Sequence, residues 1–359
     1  MIRFAFGNLL RADVEAVVNP VNCVGVMGKG LALQFKRAFP EIVEPYENAC
    51  ATGEIQPGRV QTIDRGAGEK PRWILNVPTK RHWRQPSRLD DVEAGAAALA
   101  ESIERQGIRS VAVAPLGCGN GGLDWFVVLP ILLKHLAPLE SVDVVIYPPA
   151  GAPAPEDMPN RSLRPSMTSR RAGVIVLFAE FVRRSESFRV AFQADSLARL
   201  EMQKLVYFAQ VRSDDRYWDF ERGRYGPYSH GLERELRSWE GHFLIGFGDA
   251  TDKVMELRPV RLLPDAIKQA DGERLFRQQE VIDDVLKLLV GWENTYELEL
   301  LATVLFLSEC KLASSAEGAY EIIQKWDAPA RLFTSRHVRI AWRHLCEQGW
   351  IADNISMSV

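Results

Sequence analysis

The chain has 359 residues, 47% of them hydrophobic, which is long enough for two globular domains. Its formal net charge of -3 excludes a general attraction to nucleic acid, so any such contact must be local. Five scattered cysteines (Cys23, Cys50, Cys118, Cys310 and Cys346) form no CxxC pair and stand beside no histidine at ligand spacing, so reduced thiols are expected, with no disulfide framework, metal or other cofactor.

The N-terminus opens on a strand-like pattern, Ile2-Arg3-Phe4-Ala5-Phe6, and no run reaches the length of a membrane span, so a cytoplasmic protein with no membrane partner is expected. Up to about residue 150, strand-like and helix-like patterns alternate. Strands are predicted over residues 2–6, 14–19, 59–63, 73–77, 110–114 and 142–147, and helices over 30–38, 42–51, 89–106 and 123–136. The helix from Leu89 is the clearest, because Asp90 and Asp91 suit its positive first turn and Gly107 stops it. Such alternation predicts a three-layer α/β/α sandwich around a mixed, mostly parallel sheet.

Pro148-Pro149-Ala150-Gly151-Ala152-Pro153-Ala154-Pro155 then opens a stretch without apolar period, read as a semi-rigid tether. The expected organisation is a first domain over 1–149, a Pro/Arg-rich linker over 150–169 and a mainly α-helical C-terminal domain over 170–359. Arg161, Arg164, Arg170, Arg171, Arg183, Arg184 and Arg189 form either a solvated charged surface or a contact for nucleic acid or an acidic partner. In the second half, apolar spacing of three and four predicts helices over 196–211, 231–239, 278–291, 298–312 and 334–348. Between them lie Tyr217-Trp218-Asp219-Phe220 and Arg224-Tyr225-Gly226-Pro227-Tyr228, either turn chemistry or an interface anchor, and residues 271–330 carry an acidic excess.

Two glycine-rich segments carry the chemistry: Gly25-Val26-Met27-Gly28-Lys29-Gly30 and Gly117-Cys118-Gly119-Asn120-Gly121-Gly122. Each follows a strand and precedes a helix, where backbone N–H groups and the helix N-terminus favour a phosphate. The second satisfies GxGxxG, but it follows the fifth strand rather than the first, and Asp143 opens the next strand instead of closing it, against a dinucleotide fold. In the first, Lys29 is followed by Gly30 and not by Ser or Thr, which argues against a Walker-type loop.

Gly7-Asn8-Leu9 after strand one, Val17-Val18-Asn19-Pro20-Val21-Asn22 at the end of strand two, and the two glycine loops together resemble the macrodomain, an ADP-ribose-binding module, over roughly residues 1–150. Asn8 stands where most members carry Asp, an amide that donates and accepts but has no charge. Residues 25–32, Pro78-Thr79-Lys80-Arg81-His82-Trp83-Arg84 and Pro115–Trp125 are similar to the branch formed by the antitoxins of DarT–DarG systems. So are Met202-Gln203-Lys204-Leu205-Val206-Tyr207-Phe208 and Arg224–Ser229 in the second half.

That resemblance implies an enzyme that removes ADP-ribose from a DNA base, thymine by expectation, in single-stranded DNA, with ADP-ribose as product. It also implies a C-terminal domain that binds and neutralises a DarT-type DNA ADP-ribosyltransferase toxin. A non-catalytic ADP-ribose reader and a hydrolase of ADP-ribosylated protein carboxylates are the competing readings. The implied catalytic residues are Lys80, which by itself reads as a surface lysine, and Asp124, which by itself reads as a helix N-cap. Beside cations such as Arg81, a buried Lys80 would lose its proton near neutrality and attack the distal ribose to form a Schiff-base-like adduct. The implied ADP-ribose contacts are Asn8, Leu9, Asn19, Asn22, Val26, Met27, Gly28, Lys29, Gly30, Thr79, Gly117, Cys118, Gly119, Asn120 and Gly121. Cys118 reads as a packing residue rather than a nucleophile, and Arg81, His82, Trp83 and Arg84 as candidates to bracket a DNA base.

Overall fold

The computed structural model describes residues 1–185, 195–213, 215–251, 259–273, 275–326 and 332–352, the side chains of residues 276 and 277 excepted; Arg189 and part of the acidic stretch 271–330 lie outside these. The chain divides into two units, Met1–Leu163 with Gly248–Lys253, and Arg164–Phe247 with Val254–Val359.

The first unit holds strands β1 (Ile2–Phe4), β2 (Ala16–Asn22), β3 (Gln61–Asp64), β4 (Trp73–Lys80), β5 (Ser110–Val113) and β6 (Asp143–Ile146), in the order β1-β6-β5-β2-β4-β3. Only β3 runs antiparallel to its neighbour. Side chains alternate across the sheet. Ala16, Val18, Val111, Val113, Val144 and Ile146 pack with Val92, Leu99 and Leu132 of helices α3 (Leu89–Arg105) and α4 (Trp125–Leu136). Val17, Val21, Ala112 and Val145 pack with Phe35, Ala38 and Tyr46 of α1 (Gly30–Ala38) and α2 (Val43–Ala51). Burial on both faces is what a parallel sheet requires, and it gives the expected three-layer sandwich.

Two strands run further than their apolar pattern. β2 continues past Asn19 because that fully buried side chain donates to Asn76 Oδ1 at 2.8 Å, and Asn76 donates in turn to Gln61 Oε1 at 2.8 Å. This polar ladder crosses β2, β4 and β3, so the sheet does not end where polarity begins. β4 pairs with β2 as far as Lys80, whereas β5 pairs with it only at Ala16 and Val17. Pro20, which has no N–H to give, lies where β5 has already parted. The sheet therefore splits at the C-terminal ends of β2 and β5, the place where open α/β sheets take their ligands.

The stretch expected as a tether is held along the first unit. Asn8 Nδ2 and Arg11 Nε donate to the Asp157 carbonyl at 2.7 and 3.1 Å, and Arg161 N donates to the Arg37 carbonyl at 2.7 Å. Proline content makes this segment stiff, but its free carbonyls are claimed by donors far away in sequence.

The second unit is mainly helical: α5 (Ser169–Ser185), α6 (Arg199–Ser213), α7 (His230–Ser238), α8 (Pro264–Glu273), α9 (Phe276–Leu288), α10 (Thr295–Glu309), α11 (Ala316–Gln324) and α12 (Ser335–Glu347). Its centre is α10, buried all round from Leu298 to Leu307. Short pairs β7 (Glu221–Gly223) with β8 (Gly226–Tyr228), and β9 (Leu244–Ile245) with β10 (Arg261–Leu262), complete it. Helices α5, α8 and α11 have no counterpart in the sequence reading; in α5 the arginines at both ends conceal a buried run from Ala172 to Phe181. Arg184 pairs with Asp283 and Arg212 with Asp284, so the basic and acidic surfaces of this unit partly neutralise each other. No described helix is long and apolar enough to cross a membrane.

Candidate active site

Lys80 closes β4 at the split in the sheet. Its Nζ donates to the Trp83 carbonyl at 2.9 Å and to the Asn120 carbonyl, on the second glycine loop, at 3.1 Å. Ser87 N donates to the Gly121 carbonyl at 2.9 Å, so residues 80–87 are tied to that loop at both ends. Burial, and then the positive charge of Lys29, push the pKa of Lys80 below the usual lysine range.

The expected influence of Arg81 is absent, and the reason is specific. Arg81 makes a bidentate pair with Asp91 of α3 at 3.1 and 3.0 Å, and the Asp91 side chain is 5% exposed. A guanidinium committed to a buried carboxylate is a structural anchor, with only part of its charge left for a neighbour or for DNA. Trp83 is 46% exposed, stacked on His82 with centroids 5.6 Å apart, and Arg84 lies 4.6 Å over its ring. It is therefore not a core residue. His82, Trp83 and Arg84 form an open aromatic and cationic platform three residues beyond Lys80.

Asn22, at the end of β2, spends its side chain on the first glycine loop. Its Oδ1 accepts from Val24 N and Val26 N at 3.0 and 3.3 Å, and its Nδ2 donates to the Val26 carbonyl at 2.6 Å. Tyr46 Oη donates to the Asn22 carbonyl at 2.6 Å. Asn22 thus shapes the loop in place of presenting its amide at the opening. Asn19 sits inside the sheet and does not reach the opening at all. Leu9 and Met27 are buried in the core on the α1 side, and Thr79 is buried within β4, so these can offer a ligand only their main chain. Asn8 has both ends engaged, accepting from Leu10 N at 2.9 Å and donating to Asp157 O.

Asp124 is the N-cap of α4: its Oδ1 accepts from Phe126 N at 2.9 Å. It is exposed on the same loop as Asn120, but no contact joins it to Lys80. Burial, helped by Asp124, pushes the Cys118 thiol up to about 11, so it stays protonated and is a poor nucleophile.

The glycines divide into two kinds. Gly25, Gly30, Gly117 and Gly122 have φ between +64° and +78°, which disfavours any side chain. A Cβ at Gly121 would overlap the Ser87 hydroxyl and the Gly117 carbonyl oxygen. Gly28 and Gly119 are different: their φ is not positive, and a Cβ would meet at most Val26 at 3.5 Å in the first case and nothing within 4 Å in the second. Folding does not demand glycine at these two exposed positions, one on each loop. The N–H of Gly30, expected to face a phosphate, is given instead to the Asp249 carbonyl at 2.8 Å, and Gln34 Nε2 donates to Asp249 Oδ2 at 2.7 Å. Ser87, Asp91, Tyr46 and Asp249 all escaped the sequence reading; Asp91 alone left a signal, as an acid in the first turn of a helix.

The family model of the Macro domain matches residues 18–132. DNA ADP-ribosyl glycohydrolases of Mycobacterium tuberculosis and Thermus aquaticus are 40% and 39% identical over 348 and 354 residues, covering 95% and 97% of this chain and 98% and 94% of theirs. The chain belongs to the DNA ADP-ribosyl glycohydrolase family. It is accordingly a glycohydrolase, and its first unit is a macrodomain. The solved macrodomain of Thermus aquaticus DarG is 53% identical over 42% of this chain and 99% of that one, with a TM-score of 0.41. A DNA ADP-ribosyl transferase-DNA ADP-ribosyl glycohydrolase fusion protein of Thermosipho africanus is 36% identical over 158 residues, 40% of each chain.

Proposed function

We propose that this glycohydrolase cleaves ADP-ribose from a thymine base of single-stranded DNA, with Lys80 as nucleophile and Asp124 as the acid for the departing base. The observation that carries this reading is Lys80 itself: an ammonium at the split of the sheet, pinned by two main-chain carbonyls and neutralised by no carboxylate. In its neutral form the amine attacks the anomeric carbon of the distal ribose, and the bond from that carbon to the base breaks. The base leaves with a proton from Asp124. Opening of the ribose ring converts the amine adduct to an imine, and water hydrolyses the imine, returning free Lys80 and ADP-ribose. Gly28 and Gly119 support a diphosphate between the two loops, since each is a bare glycine that folding does not require. The platform of His82, Trp83 and Arg84 suits a base more than a protein chain.

The second unit, under this reading, binds a DarT-type transferase, the activity fused to a glycohydrolase in the Thermosipho africanus relative. Tyr217, 54% exposed with Arg170 over its ring, and the acids of residues 271–330 left unpaired are its candidate contacts. The division of labour would follow the two units, with residues 1–163 hydrolysing and the remainder binding toxin.

The test is parallel incubation of the full chain with oligonucleotides ADP-ribosylated on thymine or on guanine and with ADP-ribosylated protein. Release from the thymine oligonucleotide is expected; release from protein alone would overturn the proposal. Pull-down of the transferase by residues 164–359, and not by residues 1–163, is expected for the second part, and the reverse result would overturn it.

A further inference from the structure

We propose that Lys29, on the first glycine loop, is the cation that sets the charge state of Lys80, acting as a positioning residue for the reaction and not only as backbone around the diphosphate. This inference rests on the assignment of Lys80 as nucleophile. The geometry supplies the link. Lys29 is the exposed residue preceding α1, in extended backbone with φ -159°, and its side chain makes no cap hydrogen bond. Its neighbour Gly30 lies against the second loop, where a Cβ would come within 2.6 Å of Asn120 Nδ2. Asn120 in turn gives its carbonyl to Lys80 Nζ at 3.1 Å. From the other side, Cys23 N donates to the Lys80 carbonyl at 3.0 Å, which ties the start of the first loop to the same residue. Lys29 and Lys80 are thereby held at one opening by both loops.

The other charged and titratable groups around Lys80 are engaged elsewhere. After β4, Arg81 is bound to Asp91 of α3, His82 stacks on Trp83, and Arg84 covers that ring. On the second loop, Asp124 caps α4 beside Cys118, whose thiol burial keeps protonated. On the first loop and α2, burial raises the pKa of Cys23, Cys50 and Tyr46, so all three are uncharged at neutral pH. Among the described residues, Lys29 is left as the charge that acts on Lys80. The two carbonyl acceptors favour the ammonium; the nearby cation and partial burial oppose it, which frees the lone pair that attack requires.

The experiment uses the full-length protein with Lys29→Met, Lys29→Arg and Lys29→Glu. The first readout is the pH profile of single-turnover ADP-ribose release from the modified oligonucleotide. Removing a positive neighbour favours protonation of Lys80, so the limb on which activity rises with pH should move upward in Lys29→Met. The expected shift is roughly half a unit to one unit, or roughly three- to tenfold in rate at a fixed pH on that limb. Lys29→Glu should move it further, Lys29→Arg should leave it in place, and about 1 M salt should narrow the differences. The second readout needs no turnover: the pH dependence of Lys80 acylation by acetic anhydride, followed by mass spectrometry, should shift in the same order. Coincident acylation curves for the parent and Lys29→Met would overturn the inference. So would a loss of ADP-ribose affinity with no movement of either pH curve, which would make Lys29 a phosphate contact. If acylation shifts as expected but Lys80→Ala still turns over, the nucleophile assignment fails and the electrostatic coupling stands.

Discussion

Each unit of this protein holds a lysine bonded to main-chain carbonyls and shifted below the usual lysine pKa. Lys80 reaches Trp83 O and Asn120 O at an open edge of the sheet. Lys204 is fully buried in the second unit, donates to the Pro227 carbonyl at 2.7 Å, and is pushed down to about 7 by burial, with the carboxylate of Glu299 opposing. By pKa alone Lys204 is the more perturbed group, yet no substrate can reach it. Around it, Gln203 and Ser229 exchange hydrogen bonds, and a Cβ on Gly226 would press on Thr303 Oγ1 at 2.5 Å. The motif Arg224–Ser229, which offered itself as an interface, is in its Gly226-Pro227 part an internal brace. A shifted pKa therefore marks a site only where the group is also accessible and flanked by surfaces that can hold a ligand.

Substituting the two lysines is the sharpest way to break this comparison. Lys80→Ala should abolish ADP-ribose release while calorimetry shows ADP-ribose affinity within roughly tenfold of the parent, about 1.4 kcal/mol. Lys204→Met should leave release intact. Equal loss of activity in both, or full turnover in Lys80→Ala, would remove the distinction.

The glycines give the next largest effect. Gly119→Val should weaken ADP-ribose binding by roughly a hundredfold, about 2.7 kcal/mol, with no change in melting temperature, because the fold leaves space for the side chain and the ligand does not. Gly121→Val should lower the melting temperature instead, since its side chain has nowhere to go. Unchanged affinity in folded Gly119→Val would make the second loop merely structural.

Trp83→Ala should cost about 1–3 kcal/mol in binding of the modified oligonucleotide and leave free ADP-ribose binding unaltered, as removal of a stacking surface predicts. Arg81→Ala should act differently, lowering stability by stranding the buried carboxylate of Asp91. Fluorescence titration beside thermal melts separates the two.

The smallest effect concerns pH. The folded-state pKa of Lys204, about 7, lies below its unfolded value, so the folded protein binds fewer protons between there and the ordinary lysine range. The burial cost of Lys204 is greatest below about pH 7 and diminishes as pH rises. The stability advantage of Lys204→Met over the parent should accordingly shrink across pH 7 to 10 in denaturant titrations. A constant difference would show that Lys204 does not titrate in the fold.

All six strands and four helices of the macrodomain were legible from the sequence, as were the two glycine loops and the place of Lys80 at a strand end. These features follow from local pattern: apolar alternation for strands, three-and-four spacing for helices, and glycine where the chain turns. What surrounds Lys80 was not legible. The partners that decide its chemistry come from separate segments: Asn120 on a loop 40 residues away, and Lys29 on the loop after β2. Arg81 looked like the neighbour that mattered because it is adjacent in sequence; its side chain instead finds Asp91, ten residues on, one strand and one helix apart in the fold. Asn22 and Asn19 were placed at the right strand by their motif, but only packing showed that one organises a loop and the other bonds within the sheet. The sequence by itself determined the elements and their order, because those depend on neighbours along the chain. Tertiary structure decided which charges are paired and which glycines are bare, because hydrogen bonds and Coulomb forces act across space without regard to sequence separation.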